Sequence, residues 1–251
     1  MTRRARVVAE AVAGWRAFRR RRTAMFFTFA FPVLLVVIFG ALVTTSAGAS
    51  GGLFTEPPAY YVPGYLAVVV LFTPLTRVGS SVARHRAGNR FEKLATTPLT
   101  RGEWLAAHTA VNAVVVGAAS ALVLALVVGL TGASVALAAM PAVAALVVVA
   151  VVVFCGIGAV LGRVAESRDG VVAASNAIAV PLVFLSETFV PPSLLPAWFR
   201  PVVSLSPLTY FSRAVRAVAV TGDPWVVDAV VLVVVAAAAF AAGAVAIPHT
   251  D

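Results

Sequence analysis

Six long apolar runs constrain this chain more than any other feature. They are Thr23 to Thr45, Tyr61 to Val82, Leu105 to Leu130, Val135 to Leu161, Val171 to Val190 and Val226 to Ile247. A helix needs about 20 apolar residues to cross the roughly 30 Å hydrocarbon layer of a bilayer. The expected fold class is therefore all-α, a polytopic membrane protein with six transmembrane helices. Hydrophobic residues fill 61% of the 251 positions and charged ones 12%, with a mean hydropathy of +0.99, a balance that soluble domains do not reach. The chain thus reads as a single transmembrane domain over residues 1–251.

The formal net charge of +9 would suggest nucleic acid as a partner of a soluble protein. Here the charge reads as topology and no nucleic-acid partner is expected. Of the 19 basic residues, all but Arg200, Arg213 and Arg216 fall on one predicted face, before the first run, around residues 77–101, or at Arg163 and Arg168. Loops rich in Lys and Arg stay in the cytoplasm. Both termini are then cytoplasmic and the number of spans is even.

Residues 1–22 alternate basic and apolar positions with helical spacing, and Val8, Val12, Trp15 and Phe18 form one stripe. Such a helix is expected to lie flat in the interface, Trp and Phe in the acyl boundary and Arg against anionic headgroups. In the fourth run the pair Gly158 and Gly162 fits the small-xxx-small spacing that lets helices approach closely. The single cysteine, Cys155, excludes an internal disulfide and reads as a small core residue.

Few polar residues interrupt the runs. Asn112, Ser120, Ser175 and Asn176 are the weak candidates for a substrate pathway, since a buried amide or hydroxyl in lipid needs a partner or a cavity. Glu187 is expected near the outer surface, hydrated. The segment 191–224 is too apolar for an ordinary loop and too interrupted for a span. It holds Pro191, Pro196 and Pro207 with Tyr210 and Arg216. Broken backbone at membrane depth is tolerated only against protein or a wet cavity, so this segment is expected to form short re-entrant helices on the outer side.

No catalytic constellation is present. His85, His108 and His249 are scattered in sequence, and no HExxH or GxSxG occurs. A Walker A loop needs Lys directly after Gly, and the only Lys, Lys93, follows Glu92. Neither an enzyme nor a self-contained ATPase is expected, and no cofactor or metal is expected on this chain. An ion-driven carrier would be expected to hold carboxylates or His near mid-membrane, where none stands.

The longest polar interruption is 84–104, RHRAGNRFEKLATTPLTRGEW. Within it Arg90, Phe91, Glu92, Lys93 and Leu94 suit a short helix with Phe91 and Leu94 on one face. Thr97 and Pro98 end it, because the residue before Pro is biased away from the helical region. A short helix held in the cytosol between two spans is suited to a groove in a partner; an ordinary solvated loop is the alternative.

Glu92, Leu94, Thr97, Pro98 and Leu99 follow the order E-x-L-x-x-T-P-L, and the stretch 187–216 ends in Ser206-Pro207-Leu208-Thr209-Tyr210 and an Arg. In these features the chain resembles the permeases of type-2 ABC exporters, the daunorubicin-resistance-like efflux group among them. Ser206 stands where that family usually has Asn. The resemblance implies a permease dimer, of two copies or with a paralogue, standing on ATP-binding subunits that hold ATP and Mg. Residues 84–104 would be the coupling loop, and Arg90 to Leu94 with Thr97, Pro98 and Leu99 would meet the ATPase. It further implies export of a hydrophobic drug, antibiotic or lipid across a prokaryotic plasma membrane. A polysaccharide or glycolipid exporter, and an ion-driven secondary carrier, are the alternatives.

Overall fold

The computed structural model describes residues 2–46, 56–188 and 200–248, and these contain helices and turns with no strand. The helices are α1 (Arg3–Arg20), α2 (Arg22–Ser46), α3 (Val62–Ala87), α4 (Arg90–Ala95), α5 (Arg101–Thr131), α6 (Met140–Val164), α7 (Arg168–Leu185), α8 (Arg200–Val203), α9 (Pro207–Arg216) and α10 (Val226–Ala246). A 3-10 turn, Pro58–Tyr61, leads into α3, and a second, Leu137–Ala139, leads into α6. A π-helical turn, Ala217–Thr221, continues α9.

Four of these units are long and apolar enough to cross a bilayer: Pro58–Ala87, Arg101–Thr131, Leu137–Val164 and Val226–Ala246. The runs expected at 23–45 and 171–190 fall on α2 and α7. α7 begins with Arg168 and Asp169 and stops at Leu185, short of the expected end. In the other direction, α3 and α5 reach further than their apolar runs. α3 continues to Ala87 and takes in Arg84 and Arg86, and α5 starts at Arg101. The polar stretch 84–104 is thus partly helix end, at 84–87 and 101–104, and the connection that carries α4 is 88–100.

The most buried helix is α3, which is flanked by α5, α6 and α7. Its contact with α6 is backbone against backbone. A Cβ on Gly158 would come within 2.6 Å of the Leu75 carbonyl oxygen, and one on Gly162 would overlap Gly79. The small-xxx-small pair is therefore a helix interface within this chain. On its other side α6 meets α10 in the same way, where a Cβ on Gly243 would lie 2.7 Å from the Gly156 carbonyl oxygen. Cys155, between these contacts, is fully buried as a small core residue.

The N-terminal helix packs against the rest of the chain. α1 is bent 72° from the Met25–Ile38 part of α2, but it docks on the chain itself, along α5 and in the same direction. Contacts pair Arg6 with Glu103, Glu10 with His108 and Phe18 with Val111 and Val115. Steps of about four residues on both helices keep these side chains on facing stripes. The apolar stripe read from the sequence is consequently split. Phe18 is buried, whereas Val8, Val12 and Trp15 stay exposed.

The 26 residues of α3 span about 39 Å, so its two ends are separate neighbourhoods. At its start, Tyr60 meets Arg216 of α9, and Ala136 ahead of α6 donates its N–H to Ala219 of the π turn at 3.1 Å. At its other end lies α4.

Candidate functional site

α4 is seated by its neighbours more than by its own six residues. Gly88 caps α3 with its N–H on the Arg84 carbonyl at 3.2 Å, and Asn89 takes a left-handed backbone, φ 50°, that turns the chain into α4. Asn tolerates that conformation better than most residues. At the far end the Thr96 hydroxyl donates to the Lys93 carbonyl at 2.8 Å and the Thr97 hydroxyl to the Leu94 carbonyl at 2.7 Å. The terminal carbonyls of α4 are thus satisfied without further helix, just before Pro98.

The apolar face of α4 turns inward. Phe91 is buried against His85 and Trp104, with ring centroids at 5.3 and 5.5 Å and edge-on geometry. It is an anchor and not a surface knob, which corrects the expectation that Phe91 offers itself to a partner. Leu94 and Leu99 are half-buried and line a shallow apolar depression with Trp104, Ile247 and Pro248. Arg90, Glu92, Lys93, Thr97 and Pro98 are exposed. Geometry therefore divides the expected contact residues into one anchor, two apolar rims and five exposed side chains.

Beneath Phe91 the structure gathers residues that looked scattered in sequence. His108 stacks on Trp104 at 3.9 Å, and His85 lies 5.4 Å from Trp104 and 6.3 Å from His108. These rings pack between α3, α4 and α5, and among the described residues no three His, Cys, Asp or Glu side chains are placed to hold a metal. His249 lies outside the described residues.

Glu103 closes this end. Its carboxylate accepts from the Thr100 N–H at 3.0 Å while the Thr100 hydroxyl accepts from the Glu103 N–H at 3.2 Å, a reciprocal cap on α5. The same carboxylate takes two bonds from Arg6 of α1, at 3.1 and 2.6 Å. Arg101 bonds the Val245 carbonyl of α10 at 3.1 Å, and Arg86 bonds the Arg163 and Ala165 carbonyls after α6 at 2.7 and 3.1 Å. α4 thus sits on a frame that ties α1, α3, α5, α6 and α10 together.

The remaining candidates do not form one site. Asn112 is buried and donates to the His108 carbonyl at 2.8 Å. Ser120 and Ser175 are buried with hydroxyls that lack a partner among the described residues. Asn176, expected to be deep, faces outward from α7. No hydrogen bond joins any two of the four.

At the opposite end, Pro191 and Pro196 lie outside the described residues. Pro207 opens α9, and the hydroxyl of Ser206 accepts the Leu208 N–H at 3.3 Å, the capping contact that Asn would also make. Tyr210 is half-buried. Glu187 is not hydrated as expected: it is buried and bonded through both oxygens to Arg213, with Nε to Oε2 at 2.7 Å. The carboxylate holds the Arg213 guanidinium above its ordinary range. Arg216 lies 4.0 Å over the Tyr60 ring and donates to the Glu187 carbonyl at 2.8 Å. Burial lowers its guanidinium from the usual value, partly offset by Tyr60 and Glu187.

Apolar helices of bilayer length, with a short capped helix framed at one end, define a multi-pass membrane protein. The chain belongs to the ABC-2 type transporter family, whose family model matches residues 7–220. It is a permease component of an ABC transporter, and such permeases normally work with an ATP-binding subunit. No individually curated protein matches the chain.

Proposed function

We propose that this chain is the membrane half of an ATP-driven exporter, with α4 as the coupling helix that takes up motion from a separate ATP-binding subunit. In this reading α2 and α7 complete six spans, both termini are cytoplasmic, and two permeases stand side by side in a prokaryotic plasma membrane. The exported compound is a small hydrophobic one, consistent with inner helix faces that carry few polar groups. ATP and Mg belong to the partner.

One observation carries the reading. The exposed charges of Arg90, Glu92 and Lys93 are displayed on a helix too short to be stable alone, and Phe91 fixes that helix to α3 and α5, two of the four bilayer-length helices. Force applied to α4 would thereby reach both helices without a flexible link. Thr97, Pro98, Leu94 and Leu99 extend the contact surface toward Ile247.

The test is co-expression with a Walker A subunit encoded beside this chain and co-purification in detergent. Wild type should retain the ATPase, and Glu92→Arg and Leu94→Asp should lose it while the permease stays monodisperse. Failure of the folded wild type to retain it would overturn the coupling role of α4.

A further inference from the structure

The end of the bundle that carries α4 holds a second feature that coupling does not use. Arg77 lies within α3, about 15 Å before its end, and its guanidinium packs 4.1 Å over the Phe18 ring of α1. Its Nη1 is buried and lacks a hydrogen-bond partner among the described residues. The cations that act on it are Arg21, at the elbow between α1 and α2, and Arg84, opposed by the Cys155 thiol. Arg84, two turns further along the same face of α3, donates to Ser81 at 3.0 Å. The charges acting on Arg84 are Arg21, Arg168 and Arg90, all cations. Ser80 and Ser81 lie between the two arginines and are buried, so α3 carries a polar stripe at this level. Arg6 at this end is, by contrast, paired with Glu103.

Partly buried cations without a counter-charge are costly, because low dielectric strengthens their repulsion. An anion that bridges them removes both costs. Guanidinium forks match phosphate oxygens bidentately. The setting selects the source of the phosphate. Trp15 precedes the elbow at 37% exposed, and Phe26 and Phe27 follow it at 64% and 61% exposed. Aromatic and basic side chains side by side at a bend are what the boundary between headgroups and acyl chains accommodates. A soluble phosphate would leave those aromatic rings in water.

We propose that Arg77 and Arg84, together with Arg21, bind the phosphate of an anionic phospholipid, which fastens the α1–α2 elbow to α3. Arg21, Arg77 and Arg84 are not among the contact residues proposed for the ATPase, so failure of this site would leave the coupling reading standing.

The experiment uses the full chain in nanodiscs of phosphatidylcholine, alone or with phosphatidylglycerol, read by native mass spectrometry and by thermal unfolding. Phosphatidylglycerol should be retained preferentially and should raise the unfolding midpoint. Arg84→Gln and Arg77→Gln should each weaken its apparent affinity about tenfold or more, the loss of a charge-assisted bond. Arg77→Lys, which keeps the charge and loses the fork, should fall between. Arg4→Gln, which removes an exposed charge on α1, should match wild type. If Arg77→Gln does not fold, Arg84→Gln and the exposed Arg21→Gln carry the comparison. Three results would overturn the proposal: no lipid preference in wild type, an equal loss in Arg4→Gln, or an equal gain from inorganic phosphate in phosphatidylcholine alone.

Discussion

Arg6 and Glu103 are joined by two hydrogen bonds, Nε to Oε2 at 3.1 Å and Nη2 to Oε1 at 2.6 Å, across 97 positions of sequence. Because Glu103 also caps α5, one carboxylate both starts a helix and holds another against it. Arg6→Gln and Glu103→Gln should each loosen α1, seen as faster amide exchange from Arg3 to Arg20. The double variant should be little worse than either single one, since both remove the same contact. Additive losses would show that the two residues act apart.

Phe91 predicts a separation between seating α4 and using it. Phe91→Ala removes the buried ring that faces His85 and Trp104 and should cost about 3 kcal/mol of local stability, the lower end for a Phe truncation. Exchange in 88–100 should rise. Glu92→Ala changes an exposed side chain and should leave the unfolding midpoint within error while lowering permease-stimulated ATP hydrolysis. Equal stability loss in both variants would contradict the assignment of Phe91 as the anchor.

How far the sequence disclosed this arrangement depended on whether the signal was local. Apolar run length located α3, α5, α6 and α10, and Thr97-Pro98 located the end of α4, because each is a property of adjacent residues. The T-x-x-E spacing of Thr100 and Glu103 was a legible helix start that the charge-based reading passed over. The partnership of Glu103 with Arg6, the gathering of His85 and His108 around Trp104, and the burial of Glu187 by Arg213 were not legible. Each depends on which helices pack together. Periodicity of α1 gave its apolar stripe but not its neighbour, so α5 claimed Phe18 and left Trp15 exposed.

The Glu187–Arg213 pair makes a distinct prediction. Glu187→Gln should lower stability by about 1.5 to 3 kcal/mol, the range for hydrogen bonds to charged groups, less in proportion as Arg213 reaches solvent. The exchanged pair Glu187→Arg with Arg213→Glu should recover part of the loss in thermal unfolding. No recovery would show that the Arg216 contact with the Glu187 backbone carbonyl, and not the ion pair, holds this end.

The α3–α6 contact yields the most severe expected effect. At Gly158 an added Cβ meets the backbone of Leu75, which unlike a side chain tip cannot swing aside. Gly158→Ala should therefore cost about 1 to 3 kcal/mol through forced separation of the helices, and Gly158→Leu should prevent a stable fold. Gly117, on α5, has nothing within 4 Å of the corresponding position, and Gly117→Ala should be neutral or slightly stabilising from helix propensity alone. The pair separates close packing from glycine content, because both sites lie in helices of bilayer length. Comparable unfolding midpoints for Gly158→Ala and Gly117→Ala in the same detergent would rule out the backbone contact as the joint between α3 and α6.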